Sequence, residues 1–86
     1  MSMNKKQQQI LQKIFETPER SDMLWQDIEG LFIALGAEIT KGRGSRVRVA
    51  LNDIRAVFHR PHPERVTNKG AVKSVRRFLI EAGVQL

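Results

Sequence analysis

The chain has 86 residues, no cysteine, and 15 Lys or Arg against nine Asp or Glu, a formal net charge of +6. So short a chain makes one domain burying only roughly 60–65% of its unfolded surface, and without thiols it has neither a disulfide scaffold nor a thiolate metal site. No apolar run approaches the ~20 residues that span a bilayer and the polar start is no signal peptide, so a cytoplasmic protein without a membrane partner is expected.

Residues 4–16 are rich in helix formers, and Ile10, Leu11, Ile14 and Phe15 mark one apolar stripe. Thr17-Pro18 stops this helix, because proline disfavours helical geometry in the residue before it. Ser21 or Asp22 offers a cap for the next helix, with entry as late as Gln26 equally open. Trp25, Ile28, Leu31, Phe32 and Leu35 fall at helical core spacing there, and Gly36 closes it.

The period then changes. Ala37–Lys41 reads as a short strand and Gly42-Arg43-Gly44-Ser45 as a turn. Val47, Val49 and Leu51 alternate with Arg46, Arg48 and Ala50, the pattern of a half-buried strand. Asn52-Asp53 fits a two-residue hairpin turn, and Ile54–His59 is the returning strand. Pro61 and Pro63 take the chain out of the sheet, since proline lacks a ladder donor. Val66, Thr67 and Asn68 are cap candidates for a last helix over about residues 69–82, which Gly83 ends. The order helix, helix, three strands, helix predicts an α+β domain over residues 1–86, with helices on one face of a three-stranded antiparallel sheet.

Charge is unevenly spread. Residues 41–77 hold 11 bases against two acids, whereas residues 1–40 hold four bases against six acids. A hairpin turning at Asn52-Asp53 sets Arg46 directly across from His59, and Arg48 across from Val57. Opposite side chains in such a pair have Cβ atoms roughly 4.5–5.5 Å apart. A guanidinium beside an imidazole, with Ser45, Arg48 and Arg60 close by, is the best chemical site in the chain.

Those residue types suit RNA cleavage without a metal. A base must take the ribose 2′-OH proton, an acid must protonate the leaving 5′ oxygen, and a cation must meet the charge on the phosphorane. Histidine side chains titrate near neutral pH, and arginine forks onto phosphate oxygens. His59 as base, Arg46 as phosphate clamp and His62 as acid form a coherent set. Lys41 and Arg43 enlarge the basic field, and the N-terminus of the last helix with Lys69 and Lys73 offers a second phosphate site. No His, Cys or carboxylate spacing predicts a metal site. The plainer alternatives are a solvated strand face, a surface His59 and a loop His62. A DNA-binding regulator is a weaker alternative, since no helix-turn-helix stands out.

Together these segments resemble the HicA family of toxins from bacterial toxin–antitoxin modules. The resemblance covers about residues 25–86. It rests on the helix ending Leu35-Gly36-Ala37, the Lys41–Ser45 turn, the Arg60-Pro61-His62 element and the Gly70–Gly83 helix ending Ala82-Gly83. It implies a double-stranded-RNA-binding-like α-β-β-β-α core over residues 21–86, with residues 1–20 as an extra N-terminal helical extension. It also implies a cytosolic mRNA interferase, an endoribonuclease using no metal and no small-molecule cofactor, with mRNA as substrate. Its partner would be a HicB-like antitoxin covering the active face. The family reads Gly-Ser-His at the turn, that histidine being catalytic, and here Arg46 holds the matching position. The imidazole role then falls to His59 or to His62, or the chain is a non-catalytic RNA-binding module. The stripe of residues 1–17 either packs on the domain or meets the antitoxin.

Overall fold

The computed structural model describes residues 3–86. Helix α1 (Lys5–Ile14) is capped by Asn4, whose side chain accepts from the Gln7 amide while Gln7 reaches back to the Asn4 amide. This reciprocal box satisfies two otherwise orphaned donors. The predicted stripe is buried: Ile10, Leu11 and Ile14 pack against the other helices, Ile14 with no exposed surface.

Next comes a two-residue strand, β1 (Met23–Leu24), and it departs from the sequence expectation. Neither Ser21 nor Asp22 caps helix α2 (Trp25–Ala34); its N-cap is Leu24, without a side-chain bond. The helix entry is held by backbone pairing instead. The closing strand of the chain, here β5 (Val66–Thr67), pairs antiparallel with β1, and the Trp25 amide donates to the Arg65 carbonyl at 3.0 Å. Of the three cap candidates before the last helix, Asn68 is the cap, and Thr67 is buried strand.

Strands β2 (Glu38–Lys41), β3 (Arg46–Leu51) and β4 (Ile54–His59) form an antiparallel sheet in that order, in the predicted register. Asn52 and Asp53 both take positive φ, 50° and 67°, the left-handed pair of a type I′ turn. Helix α3 (Lys69–Glu81) follows β5. The sheet presents Val47, Val49, Leu51 and Phe58 to α2 and α3. There Trp25, Phe32, Phe58 and Phe78 form a cluster with ring centroids 5.7–6.3 Å apart. Helix α1 lies over α2 and α3, and Arg76 of α3 ties down the segment after it, bonding Glu19 and the Glu16 carbonyl. The layers are therefore α1, the α2/α3 pair, then the sheet. Its far face is uncovered, so the α+β architecture with helices on one face stands.

Candidate functional site

The uncovered sheet face carries the predicted pair. Arg46 lies opposite His59, and both are exposed. The Arg60 amide donates to the Ser45 carbonyl at 2.8 Å, which makes 45/60 a hydrogen-bonded pair. By the antiparallel alternation, 46/59 is then a non-hydrogen-bonded pair, in which opposite side chains come closest. Phe58 is locked in the aromatic cluster, so period-two geometry turns its neighbour His59 outward. The Ser45 hydroxyl stands 3.5 Å from His59 Nδ1, a long contact, and His59 Nε2 has no hydrogen-bond partner among the described residues.

The turn before Arg46 is built to let it lie there. The Gly42 amide donates to the Arg46 carbonyl, and the Arg46 amide to the Arg43 carbonyl. A Cβ on Gly42 would sit 3.1 Å from the Arg46 Cβ, tighter than ordinary contact, while Gly44 takes a positive φ of 59°. Turn chemistry accounts for both glycines, and Arg43 is exposed on the turn.

Not all the predicted phosphate-binding residues gather here. Lys41 pairs with Val47, which puts it on the helical side of the sheet, where its charge bears on Glu29. Arg60 is committed elsewhere, its Nε and Nη2 bonding both Glu29 oxygens. Burial alone would raise the Glu29 carboxyl, but the bonds from Arg60 and the Trp25 indole, with the Arg60 and Lys41 charges, hold it below the usual carboxylate value. Lys69 and Lys73 belong to α3, in the helical layer, and the Asn68 side chain already accepts the Ala71 amide at 2.8 Å. His62 is exposed on the loop joining β4 to β5. Arg48 does share the face with Arg46 and His59, and so does Arg55, which the sequence marks as one of three arginines on a strand face without naming it among the site residues. The register gave the signal for it: Arg55 opposite Ala50 falls on the same side as Arg48.

Of the basic residues in 41–77, ion pairs among the described residues hold only Arg60 and Arg76. No group of three or more His, Asp or Glu is placed to hold a metal among the described residues. No helix there is long and apolar enough to cross a membrane.

The sequence model of the family described as HicA toxin of bacterial toxin–antitoxin matches residues 25–84. No curated protein and no solved structure matches the chain.

Proposed function

The chain belongs to the HicA toxin family of bacterial toxin–antitoxin modules, and on that premise we propose that it is an endoribonuclease that cleaves mRNA in the cytoplasm and is silenced by a HicB-like antitoxin. Membership implies an antitoxin partner; the HicB type and the RNA chemistry are the proposal. Arg46 opposite His59 on an uncovered face carries it.

In this scheme His59 takes the proton from a ribose 2′-OH, and the freed O2′ attacks the neighbouring phosphorus. The bond from phosphorus to O5′ breaks, leaving a 2′,3′-cyclic phosphate and a 5′-hydroxyl. Arg46 forks onto the phosphorane oxygens as their negative charge builds. His62, three residues beyond His59 on an exposed loop, donates the proton to the leaving oxygen. Ser45 at Nδ1 orients the His59 ring, so that Nε2 faces the substrate. No step calls for a metal.

The test is incubation of the protein with a long single-stranded RNA in EDTA, with His59→Ala alongside. The expected result is cleavage to cyclic-phosphate ends, reduced in His59→Ala by about 100-fold or more while RNA binding persists. Equal cleavage by the variant removes His59 from the mechanism. RNA bound but left intact by the unmodified protein identifies a binding module, with Arg46 in place of the family histidine as its physical reason.

A further inference from the structure

The uncovered sheet face has more to it than one catalytic pair. A shallow groove of about 500 Å³ runs over it beside that pair, with Thr40, Arg48, Arg55 and Val57 among its lining residues and Glu38 as its one acid. Val57 is half exposed there, a large apolar side chain with Arg48 directly across from it and Arg55 two residues before it on β4. Arg46, Arg48 and Arg55 have neither an ion pair nor a side-chain hydrogen bond among the described residues. Unpaired arginines on a rigid sheet face are free to take an anionic ligand.

Their placement is ordered. Arg46 and Arg48 are two residues apart on β3, a separation of roughly 6.8 Å along a strand. Arg48 lies opposite Val57, so Arg55 is its diagonal neighbour on β4, roughly 7–8 Å away. Each step is comparable to the distance between neighbouring phosphates in an extended nucleic-acid strand. The opposite side of the molecule is less open, since α1 covers α2 and α3 and Glu19 occupies Arg76.

We propose that this face is a track for an extended single RNA strand, with Arg46, Arg48 and Arg55 on successive phosphates and Val57 beneath a base. The proposal rests on the RNA-cleaving reading above and gives it a direction. The strand enters or leaves the Arg46–His59 pair along the groove toward Arg55, not over the helix α3 lysines. A positively charged groove that follows the backbone and an apolar platform for bases are the recurring parts of single-strand binding sites.

The test uses a labelled 2′-O-methyl RNA oligonucleotide, which lacks the attacking hydroxyl and cannot be cut. Its affinity is measured against salt for the unmodified protein, Arg48→Gln, Arg55→Gln and the Lys69→Gln/Lys73→Gln pair. Each arginine variant is expected to bind about tenfold more weakly. Each is also expected to flatten the log–log salt slope by about 0.7, the value of one phosphate contact on a single strand. The lysine pair is expected to leave the slope unchanged. All four positions are exposed, so matching melting temperatures verify folding. Unchanged affinity and slope in both arginine variants overturn the track and leave the face to a protein partner. So does a loss that follows the lysines instead. If the arginine effects hold but unmodified RNA stays uncut, the track stands and the nuclease reading fails. If RNA is cut but the arginines are silent, the track alone fails.

Discussion

The Arg60 guanidinium grips the Glu29 carboxylate at two points, Nε to Oε2 at 2.7 Å and Nη2 to Oε1 at 3.0 Å. The same carboxylate accepts the Trp25 indole N–H, and the Arg60 amide donates to the Ser45 carbonyl. One residue thus ties the first turns of α2 to the end of the hairpin where His59 and Ser45 meet. A cation counted at first sight among the phosphate binders is a brace.

This brace has a pH signature. The folded-state pKa of Glu29 is held below its ordinary value of 4.5, so the pair stabilises the fold fully above that value. The stabilisation is lost as pH falls through the lower, folded pKa. Glu29→Gln is expected to cost about 1 kcal/mol at neutral pH, below the usual range for a hydrogen bond to a charged group because Arg60 is a third exposed and solvent screens the pair. The cost should shrink toward zero in acid. Thermal unfolding from neutral pH down past 4 checks it; a penalty independent of pH would rule out the ion pair as its source.

Arg46 is expected to resist conservative replacement. A lysine there keeps the charge but not the planar fork that meets two phosphate oxygens at once. Arg46→Lys should therefore bind RNA nearly as tightly as the unmodified protein, yet cleave it about 10- to 100-fold more slowly. Single-turnover cleavage beside an affinity measurement separates the two effects. Equal cleavage by the lysine variant would reduce Arg46 to a point charge.

The strands around this site were legible because their alternation is clean. Val47, Val49 and Leu51 point one way, Arg46 and Arg48 the other, and a left-handed Asn52-Asp53 pair sets the register without a bulge. Strands β1 and β5 were not, since two residues cannot display a period and their pairing spans more than 40 positions. Charge was the other blind spot. Lys41 and Arg60 look like part of the basic field in sequence, but strand parity takes the first to the helical side. A carboxylate 31 residues away claims the second. Sequence gives the sign of a side chain; only the packed fold tells which cations remain unpaired.

Helix α1 lies outside residues 25–84, where the family match runs, yet Ile14 has no exposed surface and joins the same core as Phe32 and Leu79. Ile14→Ala should therefore cost about 2–4 kcal/mol, the usual range for truncating a fully buried aliphatic side chain. In a domain of this size that lowers the melting temperature by roughly 10–25 °C. Calorimetry checks it. A shift of a degree or two would mean that α1 is an appendage the core does not need.

The turn offers the opposite sign. Asn52 and Asp53 both sit at positive φ, and the Asn52 side chain donates to the Ala82 carbonyl at 2.8 Å, tying the hairpin tip to the end of α3. Asn52 is thus doubly used, whereas Asp53 makes no side-chain hydrogen bond among the described residues and takes a backbone conformation that glycine adopts without steric cost. Asn-Gly is the preferred pair for a type I′ turn. Asp53→Gly is expected to stabilise the protein by about 0.5 kcal/mol, the relief of left-handed strain exceeding the added entropy of the unfolded chain. Asn52→Gly satisfies φ equally well but loses the bond to Ala82, and should destabilise. Denaturant melts of the two variants decide it: a loss of stability in Asp53→Gly would show that the aspartate is held by an interaction stronger than the strain it carries.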